Sequence, residues 1–105
     1  MLPIPLSIRA RMEADPFYKT CVIRDWSCEG RIEWHHVFIY AGARIQEQWA
    51  ILPVCHKHHE DVKRDIDTKD LLEFISLRRA SPADLAVYPR KDWPQLRSYL
   101  HTKYG

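Results

Sequence analysis

The sequence is poor in the features that assign a chain to a class by composition alone. Its 105 residues contain three glycines, with no internal repeat, no low-complexity tract and no Gly/Ser linker. Repeat architectures and flexible multi-domain arrangements are therefore excluded, and the length suits one compact domain over residues 1–105. No apolar run approaches a membrane span. The opening Met1-Leu2-Pro3-Ile4-Pro5-Leu6 lacks the charged start and long apolar stretch of a secretory signal. The expectation is no membrane contact and a cytoplasmic setting. Net charge is only +2, too little to announce a nucleic-acid binder. There is no His-Glu-x-x-His, the signature of one large class of zinc hydrolases. Cysteines number three, Cys21, Cys28 and Cys55, so they cannot form a complete disulfide framework. A reducing compartment would keep them as thiols.

What is present is a concentration of metal-binding side chains. Five of the six histidines (His35, His36, His56, His58 and His59) fall within residues 35–59, together with Cys55. Cys21-x6-Cys28 supplies two thiols on a loop, and Cys55-x2-His58 supplies a thiol and an imidazole. Zinc at a structural site takes four such ligands tetrahedrally, and Cys3His satisfies it. A metal staple also suits a domain whose core is thin. Residues three apart at a helix start share a face, which favours His58, although His56 and the spacing Cys55-x3-His59 compete for the fourth position. The plainer alternative is three unrelated cysteines, each buried as a small hydrophobe.

The pattern along the chain predicts an α+β domain with one small hairpin. Ser7 caps a short helix to about Ala14, which Asp15-Pro16 ends. Residues 31–38 have strand composition, residues 41–43 form a loop, and 49–54 form a second, buried strand. Pro53 implies a sheet edge or the end of pairing. His56 to about Arg64 suits a helix. Asp67 or Thr68 caps another, with Leu71, Leu72, Phe74 and Ile75 on its buried stripe. Ser81-Pro82-Ala83-Asp84 is a helix start, and Asp92-Trp93-Pro94 opens a last helix burying Leu96, Tyr99 and Leu100.

Trp34-His35-His36-Val37, a loop containing Gly42, the strand Ala50-Ile51-Leu52-Pro53-Val54, and Cys55-His56-Lys57-His58-His59 together resemble the signature of the HNH, or ββα-metal, endonucleases. The resemblance covers about residues 21–63, leaving a helical extension over about 67–105. It implies a ββα-metal finger, a short antiparallel hairpin plus helix, with a structural zinc and additional N- and C-terminal helices. His58 then stands where the family has the second cysteine of its helix-side zinc pair. Carried over by position, the resemblance makes His36 the general base and makes His35 and His59 ligands of a catalytic divalent ion (Mg2+, Mn2+, Ni2+ or Zn2+). The structural Zn2+ is left to Cys21, Cys28, Cys55 and His58. It implies metal-dependent hydrolysis of DNA phosphodiester bonds, in a bacterium or a phage-infected host cell, and leaves any recruiting protein unidentified. Imidazole suits the base role, because its ordinary pKa near 6.5 lets it take a proton at neutral pH.

One departure stands out. The family's central asparagine, five positions before the first cysteine of the helix-side pair, is Ala50 here. Gln46 or Gln48 could substitute by hydrogen bonding across the loop. Arg44 and Lys63 are candidate phosphate contacts, each equally readable as a solvated surface residue. Glu33 and Glu60 fall near the site without an assigned direction. His101 reads as a surface histidine, and most of the tryptophans as core. Residues 1–76 carry ten basic and twelve acidic groups, whereas residues 77–105 carry six and two, so the C-terminal third could track a phosphate backbone. The competing class is a non-catalytic zinc module binding nucleic acid or protein. It accounts for the cysteines and the missing asparagine, but leaves the His35-His36 pair unexplained.

Overall fold

The computed structural model describes residues 3–89 and 92–105. Met1 and Leu2, and Arg90 and Lys91 from the basic C-terminal third, lie outside the described residues. The fold is α+β, with five α-helices and two small antiparallel hairpins among the described residues.

Helix α1 (Leu6–Ala14) begins on Pro5, not Ser7. Pro5 holds an extended conformation, and its carbonyl accepts the Arg9 N–H at 2.9 Å, so the first turn closes two residues earlier than a Ser7 cap would allow. At the other end Asp15 leaves helical geometry. Its carboxylate accepts the Phe17 N–H at 3.0 Å and caps a short 3-10 turn, Pro16–Lys19.

Strands β1 (Ile32–His36) and β4 (Ile51–Cys55) pair antiparallel, from Ile32 opposite Cys55 to His36 opposite Ile51. The intervening segment is more ordered than a plain loop. It forms a second hairpin, β2 (Ile39–Tyr40) with β3 (Ala43–Arg44), around Ala41 and Gly42 at φ 51° and 81°. Consecutive positive φ values match the turn that right-twisted strands favour. A 3-10 turn, Gln48–Ala50, then feeds β4, so Trp49 and Ala50 precede the strand rather than belong to it. Pro53 does not end the pairing. Its carbonyl points to the outer edge and accepts the Val22 N–H at 2.9 Å, so the missing proline N–H costs the β1 ladder nothing.

Every residue of β4 is buried, because both its faces are covered. Leu52 and Val54 pack with Cys21, Cys55 and Leu72. Ile51 packs with Met12 and Tyr18, against which Trp34 and Ile8 also rest. Fully burying one such aliphatic side chain contributes about 1.5–3 kcal/mol. Tyr18 is anchored there by donating to the carbonyls of Gln48 and Ile51 at 2.6 and 2.9 Å, and burial pushes its hydroxyl up to about 12.

Helix α2 (His56–Asp61) follows β4 directly and stops three residues short of the expected end. Asp65 caps α3 (Ile66–Arg79), accepting from the Asp67 N–H and the Thr68 hydroxyl at 3.1 and 2.8 Å, so the cap precedes the expected Asp67 or Thr68. On α3, Leu72 is buried as expected, whereas Leu71, Phe74 and Ile75 are half-buried and Ser76 and Leu77 lie deeper. Ser76 is tolerated there because its hydroxyl donates to the Trp49 carbonyl at 2.8 Å. Helix α4 (Pro82–Ala86) carries the expected Ser81–Asp84 capping box. In α5 (Trp93–Tyr104), Trp93 and Leu100 are buried in a third cluster with Phe38, Trp49 and Leu77. Tyr99 is not core: it is exposed, and its hydroxyl donates to Asp70 at 2.6 Å. No helix among the described residues is long and apolar enough to cross a membrane.

Candidate metal centre and histidine cluster

Cys21, Cys28, Cys55 and His58 each present a ligand atom, and all four atoms lie within 4.8 Å of one another. Among the described residues this is the one such group of three or more. His58 Nδ1 is 3.1 Å from Cys55 Sγ and 3.6 Å from both Cys21 Sγ and Cys28 Sγ. Of the three histidines that compete in sequence, His58 therefore completes the quartet.

Local structure explains why these four meet. Cys55 is the N-cap of α2, where its sulfur accepts the His58 N–H, and His58 returns on the same face. The loop carrying Cys28 is folded by Asp25, whose carboxylate accepts from the Ser27 N–H and hydroxyl at 2.8 and 2.6 Å. That loop rests on the start of α2 through Gly30 at φ 89°, where an added Cβ would stand 2.8 Å from His56 Cβ.

The outer edge of the His58 ring fixes its tautomer. Nε2 lies 3.2 Å from Ser27 Oγ and 3.3 Å from Asp25 Oδ2. An ionised carboxylate only accepts, so Nε2 carries the proton and Nδ1 turns its lone pair toward the three sulfurs. Metal-bound histidines are characteristically held this way. Burial raises the Cys55 thiol, but hydrogen bonds from the His58 and Glu29 region outweigh it and bring it down to about 7. Desolvation and the neighbouring sulfurs push Cys28 up to about 11. The quartet could thus hold a metal ion, and three sulfurs with one imidazole are a donor set that zinc accepts.

A second cluster forms where β1 meets α2. Alternation along β1 places Glu33 and His35 on one face, and α2 covers it. The rings of His35 and His59 meet edge to face, with centroids 5.1 Å apart. Glu33 sits beneath, with Oε1 2.8 Å from His59 Nδ1 and Oε2 3.0 Å from His56 Nδ1 and 2.8 Å from Arg31. Hydrogen bonds from His59 and His56, with the Arg31 charge, hold this carboxyl down to about 2. It is therefore ionised at neutral pH and both Nδ1 atoms donate to it, so that in a neutral His59 ring the lone pair lies on Nε2. His35 is drawn down to about 4 by burial first, then by the charges of His59 and His36. His35 is therefore neutral at neutral pH and able to ligate.

His36 points to the other face of β1, where its Nε2 lies 2.7 Å from Gln46 Oε1. Burial lowers its pKa, the Gln46 hydrogen bond opposes that, and the charge of Arg44 adds to it. Gln48 is directed elsewhere, donating to Asp15 at 3.4 Å. Ala50 is fully buried beside Trp49 and Leu77, and the loop is braced by backbone instead: Val37 N–H to Ala50 O at 2.9 Å and Ile45 N–H to Phe38 O at 3.0 Å.

Lys63 pairs with Glu60 at 3.0 Å on the exposed surface. His101 is exposed, Trp49 and Trp93 are core, Trp34 is half-buried under Arg9, and Trp26 is 96% exposed on the Cys28 loop. Asp25 and Ser27 carry no sequence signal that singles them out. Glu33 does carry one, since it stands two residues before His35 on the same strand face. Compared with protein-family models, with characterised proteins and with solved structures, the chain matches none.

Proposed function

We propose that the chain is a metal-dependent endonuclease of the HNH, or ββα-metal, type, hydrolysing DNA phosphodiester bonds beside a structural zinc held by Cys21, Cys28, Cys55 and His58. The observation that carries this reading is the division of labour around β1. His35 and His59 face each other on one side, with His59 fixed by Glu33, and the adjacent His36 is held separately on the other side by Gln46.

His35 is neutral, and the Glu33 contact at Nδ1 turns His59 Nε2 to the ligand side, so the pair fits a divalent ion. Two imidazoles would leave its remaining positions to water and phosphate oxygens. When bound, such an ion offsets charge on the phosphate and on the leaving oxygen. The chain's own residues supply the rest. His36, neutral at neutral pH, accepts the proton of the attacking water. Arg44, whose charge is felt at His36, offsets negative charge on the phosphate. Glu33 keeps the His59 proton on Nδ1 and the ring in place.

The test is cleavage of supercoiled plasmid by protein freed of loosely bound ions and resupplied with magnesium, manganese, nickel or zinc. Nicked or linear product with at least one ion is expected. A protein that binds DNA but never cuts it, with every ion and with duplex, single-stranded and branched substrates, would favour the non-catalytic zinc module. Ala50 in place of the family's asparagine is the observation on that side.

A further inference from the structure

We infer that Gln46 is a positioning residue that fixes which nitrogen of His36 carries the proton, doing so through a relay that begins at the Pro3 carbonyl. The relay follows from what each group can donate. A peptide carbonyl only accepts, so the atom of the Gln46 amide facing Pro3 O, at 3.3 Å, must be Nε2. The amide is planar, and its oxygen is then the atom facing His36, at 2.7 Å from Nε2. Oε1 has no proton to give. His36 Nε2 must therefore be the donor, and Nδ1 is left as the ring's acceptor nitrogen.

The Pro3 contact opposes the half-rotation of the Gln46 amide that would donate to Nε2 and drive the proton to Nδ1. The carbonyl that prevents this lies forty-three residues away in sequence. It is held near the sheet by the N-terminal segment, where Ile4 and Ile8 pack with Met12, Tyr18 and Ile51. Ile51 is the residue opposite His36 across the β1–β4 ladder. The same packing that covers this face of β4 thus sets the orientation of the amide. Of the loop residues weighed in place of the family's asparagine, Gln46 is the one that meets His36, since Gln48 is turned to Asp15 and Ala50 has no polar side chain.

The consequence for catalysis rests on the reading of His36 as general base: Nδ1 would be the atom that takes the water's proton. The tautomer itself does not rest on that reading, so the two can be tested apart. Long-range 1H–15N correlation spectra of the zinc-loaded, full-length protein, labelled at histidine nitrogen, identify the protonated nitrogen of each ring without DNA or a catalytic ion. They should be recorded at a pH well above the imidazole range.

In the wild type, His36 should show a pyrrole-type Nε2 with a slowly exchanging ring proton, and a pyridine-type Nδ1. Gln46→Glu retains an acceptor and should keep that ring proton. Gln46→Leu should lose it, and His36 should show averaged nitrogen shifts from mixed tautomers. A wild-type spectrum with the proton on Nδ1 would overturn the inference, as would a Gln46→Leu spectrum in which His36 is unchanged. In cleavage assays at saturating metal, Gln46→Leu should fall about 10–100-fold, the size of loss known for the partners that orient metal-bound histidines. If the spectra are as expected but the wild type cuts no DNA, the endonuclease reading fails and the Gln46 assignment stands.

Discussion

Glu33 accepts the Nδ1 proton of His59 at 2.8 Å from across the junction of β1 and α2, so the orientation of the His59 ring is set by a residue on another element. The same carboxylate accepts from His56 at 3.0 Å, which ties it to two successive positions of the helix face. Replacing it with glutamine keeps the volume, but offers an amide that can donate to Nδ1 and reverse the tautomer. Glu33→Gln should raise the concentration of divalent ion needed for half-maximal cleavage by about 10–100-fold, with structural zinc content unchanged. An unaltered ion requirement would show that the clamp does not serve metal binding.

One zinc per chain should survive purification, held by Cys21, Cys28, Cys55 and His58. Cys21→Ser or Cys55→Ser should unfold or strongly destabilise the domain, because metal binding at such sites is folding free energy. Asp25→Ala should weaken zinc retention against a chelator about tenfold or more, since it removes both a partner of His58 Nε2 and the carboxylate that folds the Cys28 loop. Elemental analysis finding no tightly held metal in folded protein would contradict the assignment.

His58→Ala and His59→Ala, one residue apart, should differ in kind. The first side chain is buried among three sulfurs, and the second is half-exposed beside His35. His58→Ala should lower thermal stability and zinc content together. His59→Ala should leave both close to wild type while weakening response to the catalytic ion. Thermal melts read alongside zinc analysis separate the two, and exchanged phenotypes would place the metal quartet on the wrong histidine.

The pH dependence of stability has a definite sign at His35. Its folded pKa is about 4 against an ordinary 6.5, so in that interval the unfolded chain binds the extra proton and the folded chain does not. Stability from this residue is fully present above about 6.5 and is lost as pH falls toward 4. Glu33, held down to about 2, adds a second loss that begins below its ordinary 4.5. Urea titrations across this range, without added divalent ion, should show a shallower decline between about 6.5 and 4 for His35→Asn than for wild type. Parallel curves would refute the depressed pKa.

His36→Ala should preserve fold, zinc and DNA affinity while lowering cleavage about 10²–10⁴-fold, the usual weight of a general base. Because burial and Arg44 lower the His36 pKa, the wild-type rate should climb with pH and level off below the ordinary imidazole value. His35→Ala should act differently, raising the metal requirement. Wild-type cleavage by His36→Ala would remove this mechanism.

The sequence by itself determined the α+β class, the two main strands, the capping box at Ser81 and the composition of the Cys3His quartet. Each depends on short-range rules: side-chain alternation, residues three apart at a helix start, and a hydroxyl that caps the next turn. Only the tertiary structure decided which histidine joined the sulfurs, because His56, His58 and His59 differ by angle around α2 and the angle matters only once β1 and the Cys28 loop are in place. Ser7 and Tyr99 show the same limit. Where α1 starts is decided by the Pro5 carbonyl, and Tyr99 faces solvent because Asp70 on another helix offers its hydroxyl a partner. The roles of Glu33 and Gln46 belong wholly to that second category. A carboxylate or an amide has no direction until its partners are fixed. Here those partners come from α2, from the far end of β1 and from the Pro3 carbonyl, brought together by burial of β4 on both faces.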